Sequence, residues 1–176
     1  MVEKHEEYLF IDGYNIINAW PELIEAKSVS LETARDKLVD ILSDYAAQTG
    51  TKIIVVFDAH HVEGGCGARY FINGVEVVFT REGETADAYI ERTVDSMGKK
   101  DKIRVATSDW IEQQIVMGRG AIRVSARELR NEIMALVEKR RRQEEIQRLE
   151  RNTLAEMVDK SIIRLILERF KGGKGA

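Results

Sequence analysis

Four aspartates carry the chemistry that this chain of 176 residues could perform. Asp12 closes the apolar run Tyr8-Leu9-Phe10-Ile11 and is followed by Gly13-Tyr14-Asn15. Asp58 closes the run Ile53-Ile54-Val55-Val56-Phe57, Asp109 follows Ala106-Thr107-Ser108, and Asp87 lies just past Glu84-Thr85-Ala86. Three acids therefore stand at the carboxyl ends of strand-like segments and one in the first turn of a helix-like segment. Ligands of open parallel α/β sheets bind beyond the carboxyl ends of the strands, so one sheet edge can gather all four. At about 5 Å and an effective dielectric of ~20, each pair of carboxylates repels by about 3 kcal/mol. Such a cluster is relieved by a bound cation or by raised pKa values. Hard divalent ions such as Mg²⁺ and Mn²⁺ take oxygen donors, and at a phosphodiester they neutralise charge and activate water. The predicted metal-binding and catalytic set is Asp12, Asp58, Asp87 and Asp109. Each acid also has a plain structural reading, as an Asx turn, a helix cap or a dipole partner; their joint occurrence favours a site.

Other hydrolytic schemes lack their parts. His60 and His61 are adjacent and diverge in an extended segment, which makes them a poor chelating pair, and Cys66 reads as an incidental loop thiol. A single cysteine excludes an internal disulfide and suits a reducing cytoplasm. No apolar run approaches the ~18 residues that span a bilayer, and the acidic start of the chain lacks the order of a signal peptide.

The elements that must position the acids follow from patterning. Leu31, Ala34, Leu38, Ile41, Leu42, Tyr45 and Ala46 recur at helical spacing between an N-capping Ser30 and a terminating Gly50. The run from Lys52 to Phe57 is continuously β-branched or aromatic, as in a strand buried on both faces. Asn15 to Trp20 reads as a loop, with Pro21 in the first turn of a short helix. Asn73-Gly74 between two strand-like runs signals a tight hairpin over 70–79. Helices are expected over 84–97 and about 109–117, and strands over 102–106 and 121–124. Capping boxes at Ser125-Ala126-Arg127-Glu128 and Thr153-Leu154-Ala155-Glu156 predict two C-terminal helices, and the final Lys171 to Ala176 reads as disordered. The expected fold is α/β: a three-layer domain with a mostly parallel central sheet over residues 1–125, and a helical appendage over 126–176.

Charge divides along the same line. Residues 1–120 hold 13 Lys and Arg against 21 Asp and Glu, whereas residues 121–176 hold 14 against 9. An acidic centre beside a basic helical end suits a polyanionic substrate. Lys139, Arg140, Arg141 and Arg142 point all round their helix and are candidate phosphate contacts; the competing reading is a solvated helix matched by Glu138, Glu144 and Glu145.

Five segments in order, Asp12-Gly13-Tyr14-Asn15, Val56-Phe57-Asp58-Ala59, Gly83 to Glu91, Ala106-Thr107-Ser108-Asp109 and Gly118-Arg119-Gly120-Ala121, resemble the YacP-like branch of the NYN domains, relatives of the PIN-domain nucleases. The resemblance spans about residues 7–135. It implies a PIN/NYN-like fold and a metal-dependent endoribonuclease, in a branch with members that cut messenger RNA at the ribosome. It places Asp12, Asp87 and Asp109 at the metal centre with Asp58 as a fourth acid. Asn15 and Ser108 become groups that support the metal ligands or contact phosphate, and Arg119 joins them as a substrate-binding candidate. RNA rather than DNA rests on this resemblance alone. Two rivals remain: an RNA- or ribosome-binding module with a non-catalytic site, and a haloacid-dehalogenase-type phosphatase. The second needs an acid two residues after Asp12, where Tyr14 stands.

Overall fold

The structure, a computed structural model, describes residues 6–59, 67–97, 102–107 and 120–171. The expectations at His60, His61, Cys66, Ser108, Asp109, Arg119, the helix over 109–117 and the tail after Lys171 lie outside the described residues.

Six strands, β1 (Glu7–Asp12), β2 (Lys52–Phe57), β3 (Arg69–Ile72), β4 (Val75–Phe79), β5 (Lys102–Ala106) and β6 (Ile122–Val124), form one sheet in the order β3-β4-β2-β1-β5-β6. All neighbours run parallel except the β3–β4 hairpin. Its turn has Asn73 at φ 47° and Gly74 at φ 86°, the two left-handed residues that an Asn-Gly hairpin supplies. From β1 the chain steps to β2 on one side and later to β5 on the other. The reversal falls between β1 and β5, so the crevice favoured for ligands opens beside Asp12.

Helices cover both faces. The helices α1 (Gly13–Ala19), α2 (Pro21–Val29) and α3 (Leu31–Thr49) connect β1 to β2. Ser30 caps α3, its Oγ accepting the Thr33 N–H at 2.9 Å, and Gly50 ends it at φ 72°. On the other face, Phe10, Ile54, Val56, Val78 and Val105 pack with Ala86, Ile90 and Val94 of α4 (Ala86–Ser96). Alternation along the strands turns Leu9, Ile11, Val55 and Phe57 the opposite way, which explains why the strands read as unbroken apolar runs.

Two expectations are corrected. The stretch Asn15 to Trp20 is not a loop: Gly13–Ala19 is helical, because the Asp12 carboxylate caps it and Ile16 and Ile17 are fully buried. The start of α1 lies so close to β2 that a Cβ on Gly13 would fall 2.2 Å from Cε1 of Phe57. The second correction is at the C-terminus, where a single helix α5 (Ala126–Lys171) replaces two. Its start carries the expected capping box, with the Ser125 N–H donating to Glu128 Oε2 at 2.7 Å and the Glu128 N–H to Ser125 Oγ at 3.1 Å. Thr153 instead sits inside the helix, its hydroxyl donating to the Leu149 carbonyl at 2.9 Å, four residues back.

The chain divides into two compact units, Met1–Ile133 and Met134–Ala176. Leu129 and Ile133 are buried in the first, and the buried Trp20 indole donates to the Ala126 carbonyl at 2.8 Å. In the second unit the described side chains from Lys139 onward are exposed, apolar ones such as Leu154, Met157 and Ile162 included.

Candidate active site

Asp12 ends β1 and caps α1, its Oδ1 accepting the Asn15 N–H at 3.1 Å. Asp58 follows β2 directly, and its Oδ1 accepts the N–H of Ala86, the first residue of α4, at 2.8 Å. That bond latches the N-terminus of α4 to the end of β2 and so sets the position of Asp87, the next residue. Thr85 completes the turn, its Oγ1 accepting the Ala88 N–H at 3.2 Å. The local logic is economical: one strand-end acid caps its own helix, and the next holds the helix that carries the third.

The consequence is electrostatic. Burial pushes the Asp12 carboxyl up to about 6; the Asn15 N–H opposes this, while the charges of Asp87 and Asp58 and a hydrogen-bonding contact with Asp87 add to it. These three acids are therefore brought together, with Asp12 and Asp87 touching. Among the described residues no three His, Cys, Asp or Glu side chains form a ready-made metal cage. Asp109 and Ser108 lie outside the described residues. The donor chemistry fits a hard cation: oxygen only, crowded, and with one carboxyl already held toward its neutral form.

Beside the acids stands a pair that sequence reasoning missed. Arg35 on α3 donates from Nη1 to the Tyr14 hydroxyl at 3.0 Å, and the Tyr14 ring leans on Phe57 with centroids 5.1 Å apart. Burial raises the Tyr14 pKa, Arg35 opposes it, and the nearby Asp58 charge raises it further. Nothing local in the sequence signals the pair, since only the packing of α3 against α1 joins positions 14 and 35. Asn15 lies partly buried in the first turn of α1, its backbone engaged with Asp12. The basic run is placed on α5, where Arg140 pairs with Glu144 at 2.8 Å, and Arg141 and Arg142 pair with Glu138 at 3.2 and 3.0 Å.

Known proteins match this arrangement along most of the chain. The family model described as "YacP-like NYN domain" matches residues 9–171. The protein YacP of Bacillus subtilis (strain 168) is 46% identical over 128 residues, which cover 72% of this chain and 75% of that protein. A crystal structure of Rae1 (YacP) from Bacillus subtilis superposes with a TM-score of 0.69 at 39% identity, covering 95% of both chains. A crystal structure of a point mutant of that protein superposes with a TM-score of 0.68 at 42% identity, covering 77% of this chain and 80% of that one. Family model, sequence identity and fold agree: the chain belongs to the YacP-like NYN domain family, within the PIN-like nuclease superfamily.

Proposed function

We propose that the protein is a metal-dependent endoribonuclease that cuts RNA phosphodiesters, with messenger RNA on the ribosome as its substrate and the cytoplasm as its place. The observation that carries this reading is the crowding of Asp12, Asp58 and Asp87 at the sheet's switch point, with Asp12 pushed up to about 6. Among the described residues no ion pair reaches these three: Asp12 and Asp58 each accept a backbone N–H, and Asp12 touches Asp87.

Asp12, Asp87 and Asp109 are the residues that would hold Mg²⁺ or Mn²⁺, with Asp58 at the margin because one of its oxygens is committed to Ala86. When bound, such an ion supplies charge neutralisation at the scissile phosphate and a lower pKa for an attacking water. The chain's own residues orient the reaction. Asp12 must be ionised to accept the cation, so pH below about 6 opposes loading. Asn15 and Ser108 hold the carboxylates or a phosphate oxygen, and Arg119 contacts the substrate. Lys139, Arg140, Arg141 and Arg142 provide a further contact to phosphates of RNA or ribosome, weakened by the pairing of the three arginines with Glu138 and Glu144.

The experiment compares wild type with Asp12→Asn and Asp87→Asn on a labelled single-stranded RNA and on a translated message, with Mg²⁺, Mn²⁺ or chelator. The reading requires cleavage that disappears with chelator and with either substitution. Binding without cleavage under every condition would leave an RNA- or ribosome-binding module. Cleavage of free RNA equal to that of translated message would remove the ribosome from the proposal.

A further inference from the structure

An acidic centre repels RNA, so the strand must be gripped elsewhere on the domain. A cleft suited to this lies between the β3–β4 hairpin and the flank of α4, with a volume of about 470 Å³. Arg69, Arg81, Arg92 and Tyr89 line it, with Glu84 and the hydroxyl residues Thr93 and Ser96. Tyr89 organises the cations: its hydroxyl accepts from Arg69 Nη2 at 3.1 Å, and the Arg92 guanidinium lies 5.5 Å from its ring centroid.

The arginines are held but not used up. Arg69 pairs with Glu76 at 2.6 Å and Arg92 with Glu84 at 2.6 Å, yet their side chains remain 58% and 60% exposed. Arg69 reaches both Glu76 and Tyr89 through the same nitrogen, and a guanidinium carries five donors, so its other edge is open to a further acceptor. Arg81 is exposed on the rim and adds an outright positive charge. Phe71 stands two residues from Arg69 on the same face of β3 and is 78% exposed. Exposed aromatics interleaved with arginines are what a single strand of nucleic acid needs, stacking for bases and donors for phosphates.

The cleft also lies at the right place. Arg81 and Glu84 belong to the segment that leads into α4, and the next residues are Ala86, held by Asp58, and Asp87. On the helical wheel Tyr89, Arg92, Thr93 and Ser96 share one flank of α4, and Asp87 lies on the other. The acids and the cleft are thus separated by about one helix diameter, ~10 Å. A strand crossing the N-terminal turn of α4 would engage both.

We infer that this cleft is the docking track for single-stranded RNA on one side of the acidic centre, with Arg69, Arg81 and Arg92 on phosphates and Phe71 and Tyr89 on bases. The assignment rests on the ribonuclease reading above and identifies how that site takes its substrate. Two variants test it with little risk to the fold: Arg81→Glu, which breaks no ion pair among the described residues, and Phe71→Ala, which removes a ring already in solvent. Each is placed on an Asp12→Asn background so that RNA is bound without being cut, and folding is verified by circular dichroism and melting temperature. Binding of a fluorescent single-stranded RNA is then titrated across a salt series.

Arg81→Glu should weaken binding about tenfold and make the log–log salt slope shallower by about 0.7, the value for one phosphate contact on a single strand. Phe71→Ala should weaken binding roughly fivefold or more, with an unchanged salt slope, because stacking releases no counterions. Unchanged affinity in both variants would overturn the assignment and leave the cleft to a protein partner. The two readings fail separately. If wild type cuts RNA while both variants bind normally, the track is wrong and the nuclease stands; if both variants lose binding and wild type never cuts, the track stands and the nuclease is wrong.

Discussion

The two ends of one sheet treat their carboxylates in opposite ways. At the amino-terminal edge Glu6, Glu7 and Glu132 each have a cation. Glu6 pairs with Lys52 at 2.6 Å, Glu7 with Lys102 at 3.0 Å and Arg104 at 3.4 Å, and Glu132 takes a two-pronged contact from Arg104 together with the Tyr45 hydroxyl. Arg104 holds the Glu132 carboxyl below its usual range, and Glu132 in turn raises Arg104, while burial and then Glu132 push Tyr45 up to about 12. At the carboxyl-terminal edge Asp12, Asp58 and Asp87 face one another, and Asp12 is pushed the other way. Strand geometry is common to both edges, so the difference lies in side-chain choice. A sheet stabilised at one end carries an unfavourable charge arrangement at the other, which is the expected signature of a site that waits for a ligand.

The strongest way to break the comparison is Asp12→Asn. Asparagine still caps α1, so the local structure survives, while a cation donor and one repelling charge are lost. Cleavage should fall by more than the ~100-fold that loss of an outer partner of a metal site can cause. The metal-free variant should melt higher than wild type at neutral pH, by up to about 3 kcal/mol, the full value of moving one carboxyl from 3.8 to about 6. A calorimetric scan in chelator measures this, and a lower melting temperature would mean that Asp12 is a stabilising turn residue.

The pH dependence sharpens the contrast because the two edges have opposite signs. A folded pKa raised above its unfolded value gives stability that is fully present below the unfolded value and lost as pH rises through the folded one. For Asp12 the window is between about 4 and 6, so metal-free wild type should lose stability across it and Asp12→Asn should not. A lowered folded pKa works in reverse. Glu132 contributes stability above its unfolded value of 4.5 that is lost as pH falls below it. Urea titrations between pH 3 and 8 separate the two, and saturating Mg²⁺ or Mn²⁺ should flatten only the Asp12 limb.

Glu132→Gln tests the other edge directly. The Arg104 side chain is only 12% exposed, and the change leaves it with Glu7 and Tyr45 as weaker partners. A loss of about 1 to 3 kcal/mol is expected, with cleavage per folded molecule unaffected. Replacing both partners with apolar residues, Arg104→Met with Glu132→Leu, should return much of that loss, since a desolvated ion pair contributes little net stability. Denaturant midpoints of the single and double variants decide it.

What could be read from the sequence was local. Asn73-Gly74, Ser30, Gly50 and the Ser125–Glu128 box each determine their element through bonds to residues within one turn, and the structure repeats them. The failures have equally physical causes. Gly13–Ala19 is too short to show a helical period, and its cap is an acid already assigned to chemistry. Thr153-Leu154-Ala155-Glu156 satisfies a capping pattern but follows a run of Glu, Arg and Gln, good helix formers that let α5 continue through it. The nearness of Asp12 and Asp58 was legible because they end neighbouring parallel strands, and Asp87 joins them through the latch of α4 onto Asp58. Arg35 on Tyr14, and Arg69 and Arg92 around Tyr89, were not: their partners come from other elements, and tertiary packing alone brings them together.

The smallest effect is expected from a set of charges that belongs to neither edge. In the run that Lys139 opens, Arg140, Arg141 and Arg142 resemble the amino-terminal edge in being matched by acids, with Glu138 lowered by Arg141 and Arg142. They differ in exposure, since Arg141 and Arg142 are 71% and 72% exposed and water already solvates them. Exposed pairs within one helix contribute little to folding, and glutamine is nearly as good a helix former as arginine. Replacing all four with glutamine should therefore leave the melting temperature in place. RNA or ribosome binding should weaken less than it does with Arg81→Glu alone, because a phosphate must first displace Glu138 and Glu144. A salt series on both variants reads the order directly. If the four glutamines cost more affinity than the single reversal in the cleft, the helix is the main polyanion contact, and local pairing has not masked its charge.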